Sequence, residues 1–380
     1  MKTPNTIITA REALLPALGL VNKAVERRTT IPVLANVLLT VDAAAGTLTI
    51  TGSDLDCELR ATLACQAGRD EAFTLPSAIL HDAVRKMPEG AEIALLAEKD
   101  FATLTAGRSR FKIQVLPSTD FPTMSEGTFS HSFDLDAGLF ERMLDTVSFA
   151  ISSEETRYYL NGIYWHAPEE GSTLNAVATD GHRLAKFAAP LPQGAAGMPG
   201  IIIPRRTVGL IRQLLGDKGA VKVSLSDTKI RVETGKAALL SKLIDGSFPD
   251  HYVRVIPTGN QNHFTVERET LASAVDRVGT VSSGRGSPVK FAFEAGGNLT
   301  LTTNNPDAGS ANDEVTIEHG EGDSVEIGFN GRYCLDLLNA AEGKRLVFSL
   351  GEAGSPTLIQ PETADETGLK PLFVLMPMRV

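Results

Sequence analysis

Three stretches of the chain place apolar residues at helical spacing behind a short alternating start: "IITAREALLPALGLVNKAV" (7–25), "SFDLDAGLFERMLDTVSFAI" (132–151) and "HFTVERETLASAVDRVGTVS" (263–282). The apolar faces are Leu14, Leu18, Val21 and Val25, then Leu139, Met143, Val147 and Ile151, then Leu271, Val275 and Val278. A period near 3.6 after a period of two predicts a strand followed by an amphipathic helix. A second block of the same kind follows in each third, at 72–90, 200–219 and 327–344, and each has a glycine at or next to its end (Gly90, Gly219, Gly343) suited to a left-handed C-cap. Alternating segments such as "GTLTITGSDLDCELRATL" and "AVKVSLSDTKIRVETGKAALLSKL" predict antiparallel strands joined by tight turns. The pattern predicts an α+β fold of three topologically similar units, 1–128, 129–257 and 258–380, with six helices and a large set of sheets.

Composition narrows the class. With 380 residues, 42% of them hydrophobic, the chain exceeds one compact core and carries no apolar run of the ~20 residues that a membrane span needs. The start "MKTPNTIITAREALL" has no apolar signal core, and Cys57, Cys65 and Cys334 are widely spaced, so a reducing cytoplasm is expected and no disulfide framework. Net charge is −10, which speaks against nucleic acid until it is divided along the chain. Lys+Arg against Asp+Glu is 13 to 15 in the first unit, 14 to 14 in the second and 9 to 17 in the third. Cations such as Arg11, Arg28, Arg85, Arg205, Arg206, Arg268 and Arg277 fall on the predicted helices or their ends, so helices gathered on one side would present a basic face.

The eye-catching chemistry is "VATDGHRLA" (177–185), where Asp180 and His182 stand two apart and would share one face of an extended segment as an acid/base pair. No nucleophile elbow and no Cys–His neighbourhood accompanies them, and the other histidines lack metal-ligand spacing. The D-x-D pairs at Asp54/Asp56 and Asp134/Asp136 read as hairpin or cap residues, and no phosphate-binding loop with its lysine occurs. A hydrolase using Asp180 and His182, or a repeat scaffold without DNA, are the competing readings.

"RYYLNG" (157–162), "ATDGHRLA" (178–185), "FPDHYVRVIP" (248–257), "VLMPMRV" (374–380) and "IPVLANVLL" (31–39) together resemble the beta subunit of bacterial DNA polymerase III, the sliding clamps. The match is collinear over essentially the whole chain. It implies a non-catalytic processivity factor of the polymerase holoenzyme, without metal or cofactor. Two chains would close head to tail into a ring around double-stranded DNA, helices lining the hole and sheets outside. Binding would be sequence-independent, carried by Lys and Arg on phosphates.

By position, the resemblance assigns Arg28, Arg157, Tyr158 and Tyr159 to DNA. Arg205 and Arg206 join them as basic residues on a helix that would face the hole. Glu154 stands where the family has a DNA-contacting glutamine and is left out. A groove for short linear segments of the replicative polymerase, the clamp loader and repair proteins, typically a glutamine followed by leucine and phenylalanine, is implied at Leu160, Thr179, Gly181, His182, Arg183 and Leu184. It continues through Pro249, Arg254 and Val255 and ends on Val374, Met376, Pro377, Met378, Arg379 and Val380. This sequence has one extra residue between Pro249 and Arg254 relative to the family pattern. Two flexible thioethers suit a surface with several partners. Arg183 and Arg379 are expected at the rim, bonding a partner's carbonyls or acids. The head-to-tail contact would bring Phe111 against Thr280 and Val281, smaller than the aliphatics the family carries there.

Overall fold

The computed structural model describes residues 5–26, 29–168, 171–216, 219–281, 288–365 and 367–380. Contacts divide the chain into two compact units, Met1–Gly138 with Gly209–Leu243, and Leu139–Val208 with Ile244–Val380.

In the first unit a four-stranded sheet runs β1 (Ile7–Ala10), β6 (Glu92–Ala97), β7 (Phe101–Ala106), β8 (Ser109–Gln114). An eight-stranded sheet runs β5 (Glu71–Pro76), β2 (Asn36–Asp42), β3 (Thr47–Ser53), β4 (Cys57–Ala64), β16 (Ala237–Lys242), β15 (Lys229–Glu233), β14 (Ala220–Leu225), β9 (His131–Asp136). In the second unit twelve strands form one sheet. It begins β13 (Ile201–Pro204), β10 (Gly162–His166), β11 (Thr173–Thr179), β12 (Arg183–Pro190), β24 (Leu372–Leu375), β23 (Thr357–Pro361). It continues β22 (Arg345–Leu350), β17 (Asn262–Glu267), β20 (Gly309–Glu321), β19 (Asn298–Asn305), β18 (Pro288–Phe293), β21 (Val325–Asn330). The named strand pairings are antiparallel, and the orders resolve into one motif used throughout: four neighbouring strands, of which the first leads straight into a helix.

The helices are α1 (Arg11–Val21), α2 (Ser77–Arg85), α3 (Ala137–Ser148), α4 (Arg205–Leu214), the single turn α5 (Tyr252–Val255), α6 (Arg268–Gly279) and α7 (Gly331–Ala340). Apart from α5 these are the six expected. Leu14, Leu18 and Val21 of α1 and Leu271, Val275 and Val278 of α6 are buried. Each such side chain contributes about 1.5–3 kcal/mol on leaving water. In the middle repeat Met143 and Val147 are buried as expected, but Phe140 rather than Leu139 fills the core at the start of α3. Gly52 of β3 lets α1 ride directly on the sheet: a Cβ there would stand 2.7 Å from Val21 Cγ1.

The closing glycines behave differently from expectation. Gly90, Gly219 and Gly343 have φ of +73°, +139° and +86°, but α2, α4 and α7 end three or more residues earlier. They turn the chain into the next strand instead of capping the helix. The carbonyl ends are met by arginines. Arg11 donates to the carbonyls of Val84 (3.2 Å) and Arg85 (3.1 Å) at the end of α2, and Arg268 to those of Leu338 (3.2 Å) and Gly343 (3.0 Å) at the end of α7. Arg205 likewise donates to the carbonyls of Ile151 and Ser152 beyond α3. Orphan carbonyls at a helix end attract cations. Three of the cations expected on the basic face thus also tie helix ends, Arg205 among them while still exposed. Among the described residues no helix is long and apolar enough to cross a membrane.

Candidate functional site

The "TDGHR" turn joins β11 to β12. Gly181 takes φ +89°, and Thr179 Oγ1 donates to the Arg183 carbonyl at 2.7 Å while accepting the Gly181 amide at 3.1 Å. Asp180 Oδ1 accepts the amides of His182 (2.9 Å) and Arg183 (3.0 Å), and its Oδ2 accepts Arg183 Nε at 3.0 Å. Arg183 Nη1 reaches Asp336 of α7 at 2.7 Å, and its guanidinium lies 4.3 Å from the Tyr333 ring centroid. With both carboxylate oxygens engaged, Asp180 holds a turn and does not serve as a base. His182 stacks against Tyr333, centroids 6.1 Å apart.

The same turn meets the C-terminus. Arg183 pairs with Leu375 and Leu184 with Val374 across β12 and β24, and the Met376 amide donates to the His182 carbonyl at 2.9 Å. Behind them Leu160, Leu184, Val374 and Tyr252 pack with Val177, Ile202 and Phe248 into one buried cluster. Above this floor opens an apolar groove of about 320 Å³, walled by Thr179, Gly181, Arg183, Pro249, Val255 and Met376 over Leu160, Leu184 and Val374. Nine of the fifteen positions expected for the groove therefore line one cavity.

The remaining six do not line it. Arg254 is exposed on α5, and His251 and Tyr252 of the same segment line the wall. Past Met376 the chain leaves β24 and bridges to β21: Met378 N donates to the Gly328 carbonyl at 2.8 Å, carrying Pro377, Met378, Arg379 and Val380 away. Gly328 admits them, since a Cβ would lie 2.4 Å from Val380 Cγ1. His182 faces the Tyr333 side. Arg183, expected as a rim donor, is 9% exposed and already doubly ion-paired.

The DNA assignments divide as well. Arg28 lies outside the described residues. Arg157 and Tyr159 line the groove. Arg157 Nε bonds Glu154 at 2.8 Å and its Nη2 donates to the Asp180 carbonyl at 3.2 Å, so the acid set aside in the sequence holds this arginine over Gly181. Pairing with Glu154 raises Arg157 above its ordinary range, and bonds from Thr156 and Arg157 lower Glu154. Tyr158 is 52% exposed and edge-on to Tyr159. Arg205 is turned to the Ile151 and Ser152 carbonyls, and burial, then the Arg183 charge, push it down. Arg206 is exposed beside it.

Spacing could not reveal the support under the groove. His166 Nε2 and Tyr252 Oη are 2.9 Å apart, and Tyr164 stacks between the His166 ring (4.8 Å) and Phe248 (4.7 Å). Burial, then Tyr164, pushes the Tyr252 hydroxyl up to about 12. Burial, then Lys186, lowers His166 against the opposing pull of Asp250. The signal was present in "GIYWH" and "FPDHY", but only pairing of distant segments joins them.

Elsewhere, Phe111 is 38% exposed on β8, Thr280 is exposed just past α6, and the Val281 carbonyl accepts Asn305 Nδ2 at 3.0 Å. Asp54 accepts the amides of Asp56 (2.9 Å) and Cys57 (2.6 Å), a hairpin cap as expected. Among the described residues no group of three metal-binding side chains converges.

Models of the DNA polymerase III beta subunit match the chain in three parts: the N-terminal domain at residues 6–125, the central domain at 134–250 and the C-terminal domain at 253–379. The beta sliding clamp of Caulobacter vibrioides is 45% identical over 375 residues, covering 97% of this chain and 98% of that protein. That of Escherichia coli K12 is 35% identical over 372 residues, covering 97% and 98%. The crystal structure of the sliding clamp from Bartonella birtlesii bound to griselimycin superposes with a TM-score of 0.94 at 42% identity, over 99% of this chain and 100% of that one. Three successive family domains, full-length relatives and one repeated fold agree: the chain belongs to the DNA polymerase III beta subunits, the bacterial beta sliding clamps.

Proposed function

We propose that two copies of this chain close into a cytoplasmic ring around duplex DNA and tether the replicative polymerase, the clamp loader and repair proteins through the groove over Leu160, Leu184, Val374 and Met376. The observation that carries the tethering is the groove itself: a preformed apolar cavity of about 320 Å³ on an otherwise acidic chain, with one flexible methionine in its wall. Such a cavity accepts aliphatic and aromatic anchors of a short segment, and the Arg157 and Arg183 heads bound it. The Bartonella and Pseudomonas aeruginosa clamps were each crystallised with griselimycin bound, which supports a ligand-binding surface in this family.

The ring reading is supported by the repeat. Twice the last strand of one four-strand set pairs antiparallel with the last strand of another: β4 with β16, and β12 with β24. The two sets left over end on β8 and on β20, each with neighbours on one side only over Ser109–Gln114 and Gly309–Thr316 among the described residues. An edge strand left open is a site for pairing with another chain. Charge favours their pairing: Arg108, Arg110 and Lys112 are exposed at β8, and Glu314 is exposed on β20 beside Asp313, which holds Arg277 at 2.6 Å. Phe111 lies on the first edge, and Asn305, the last residue of β19 and the partner of Gly309 at the start of β20, holds the Val281 carbonyl beside the second, which supports the expected contact.

Retention decides the reading. The protein loaded onto nicked circular DNA should remain bound through gel filtration and be lost once the circle is cut to linear form. Equal retention on both forms would show adhesion and not encirclement. The alternative hydrolase has no support in the relatives, and Asp180 is committed to its turn.

A further inference from the structure

The apolar groove adjoins a second cleft of about 640 Å³, and the two share Arg157 and Arg183 as common walls. The second cleft is polar and rich in cations, with His182, Arg205 and Arg332 along it. Two of its four guanidiniums are balanced: Arg157 by Glu154, and Arg183 by Asp180 and Asp336. The other two have no carboxylate partner among the described residues. Arg205 is bonded to carbonyls, which leave its charge intact, and Arg332 is exposed with no side-chain hydrogen bond or ion pair.

Their positions oppose helix stability. Arg205 opens α4 and Arg332 is the second residue of α7, and neither helix has an acid in its first turn. The N-terminal end of a helix carries partial positive charge and favours Asp or Glu there. In α7 the side chain of Asn330 caps the amides of Arg332 (3.0 Å) and Tyr333 (3.3 Å), so the arginine is not needed to finish the helix. Two helix starts that each add a cation to an already positive end give the cleft a potential suited to a carboxylate, which an arginine fork binds with matched geometry.

We propose that this cleft is the acid-recognition half of the docking site: Arg332, with Arg205 beside it, binds the side-chain carboxylate of an Asp or Glu in the same segment whose apolar anchors fill the groove. The proposal rests on the groove reading above. Shared walls place both halves within reach of one short peptide. Because Arg332 is exposed, the interaction is salt-sensitive and acts on selectivity more than on total affinity.

The test uses the full chain and fluorescent peptides carrying glutamine, leucine and phenylalanine anchors, with a single Asp moved through the remaining and flanking positions. Each is compared with its Asn counterpart. At one or two neighbouring positions Asp should bind about three- to tenfold more tightly than Asn at low salt. That ratio should fall towards one in Arg332→Ser, return in part in Arg332→Lys, and shrink at high salt. Equal affinity of Asp and Asn peptides everywhere overturns the proposal and leaves the groove standing. So does an Asp preference that Arg332→Ser leaves intact, or an Arg332→Ser variant that loses retention on circular DNA while keeping its peptide selectivity, which would turn the cleft to phosphate. Absence of binding by every peptide overturns the groove reading itself.

Discussion

Asp180 Oδ2 and Arg183 Nε meet at 3.0 Å, three residues apart, with 13% and 9% of their side chains exposed. This contact carries the hairpin that bounds the groove, since the same arginine reaches across to Asp336 of α7 at 2.7 Å. Removing the carboxylate charge leaves a largely buried guanidinium with one partner instead of two. Asp180→Asn should lower unfolding free energy by about 2 kcal/mol, read as a reduced urea midpoint, and peptide affinity should fall with it. An unchanged midpoint would show that the pair does not hold the hairpin.

Arg11, Arg205 and Arg268 each meet carbonyls at or just beyond the end of a neighbouring helix. Their replacement by Ala should cost about 1 kcal/mol each, by thermal unfolding. Arg205→Ala should therefore change stability more than it changes DNA retention. A loss of retention without a loss of stability would return Arg205 to the DNA surface.

The groove floor responds to pH. His166 has its folded value below the ordinary 6.5, chiefly through burial, with Lys186 opposing its protonation and Asp250 favouring it. Above 6.5 both states hold a neutral imidazole. As pH falls below that value the unfolded chain takes up a proton that the folded chain resists, so stability decreases down to the folded value. The urea midpoint should drop between pH 7.5 and 5.5, and drop less in His166→Gln, which keeps a hydrogen-bonding group opposite the Tyr252 hydroxyl.

Met376 bounds the groove, whereas Met378 to Val380 pack along β21. Met376→Ala should weaken an anchor peptide about tenfold or more, measured by fluorescence anisotropy. Deletion of Met376 to Val380 should abolish binding. Removing Met378 to Val380 alone should cost stability first, since these residues cover Gly328.

Charge reversal at Arg110 and Lys112 on β8 should move the protein from dimer to monomer in sedimentation, with more effect at low salt than at high salt. Restoring complementarity through Asp313→Arg and Glu314→Arg should recover part of the dimer. A dimer indifferent to both changes would place the interface elsewhere.

Period and repeat alone located the six longer helices and most of the strands around them, because burying one face of a helix or strand forces apolar residues to recur at its own spacing. "TDGHR" likewise announced a turn, since a glycine at positive φ beside an Asx side chain is a local device. Burial cannot be told from exposure in a polar residue by spacing. Arg183 looked like a free rim cation and is a buried tie, and Glu154 looked like a misplaced acid and is Arg157's partner. Arg254 was expected in the wall and stands exposed on the single turn of α5, while His251 and Tyr252 line the groove, a phase that only the observed turn resolves.

The sequence by itself determined the repeated strand-and-helix unit, its threefold use and the two segments, "ATDGHRLA" and "VLMPMRV", that build the groove. Tertiary structure decided which side chains in those segments face it. Pairing of β12 with β24 brings residues 183 and 375 together, and the bridge from Met378 to Gly328 turns the last residues away. The physical reason is that local periodicity records which face of an element is buried, while the partner of a charged or aromatic side chain depends on contacts between residues scores to hundreds of positions apart.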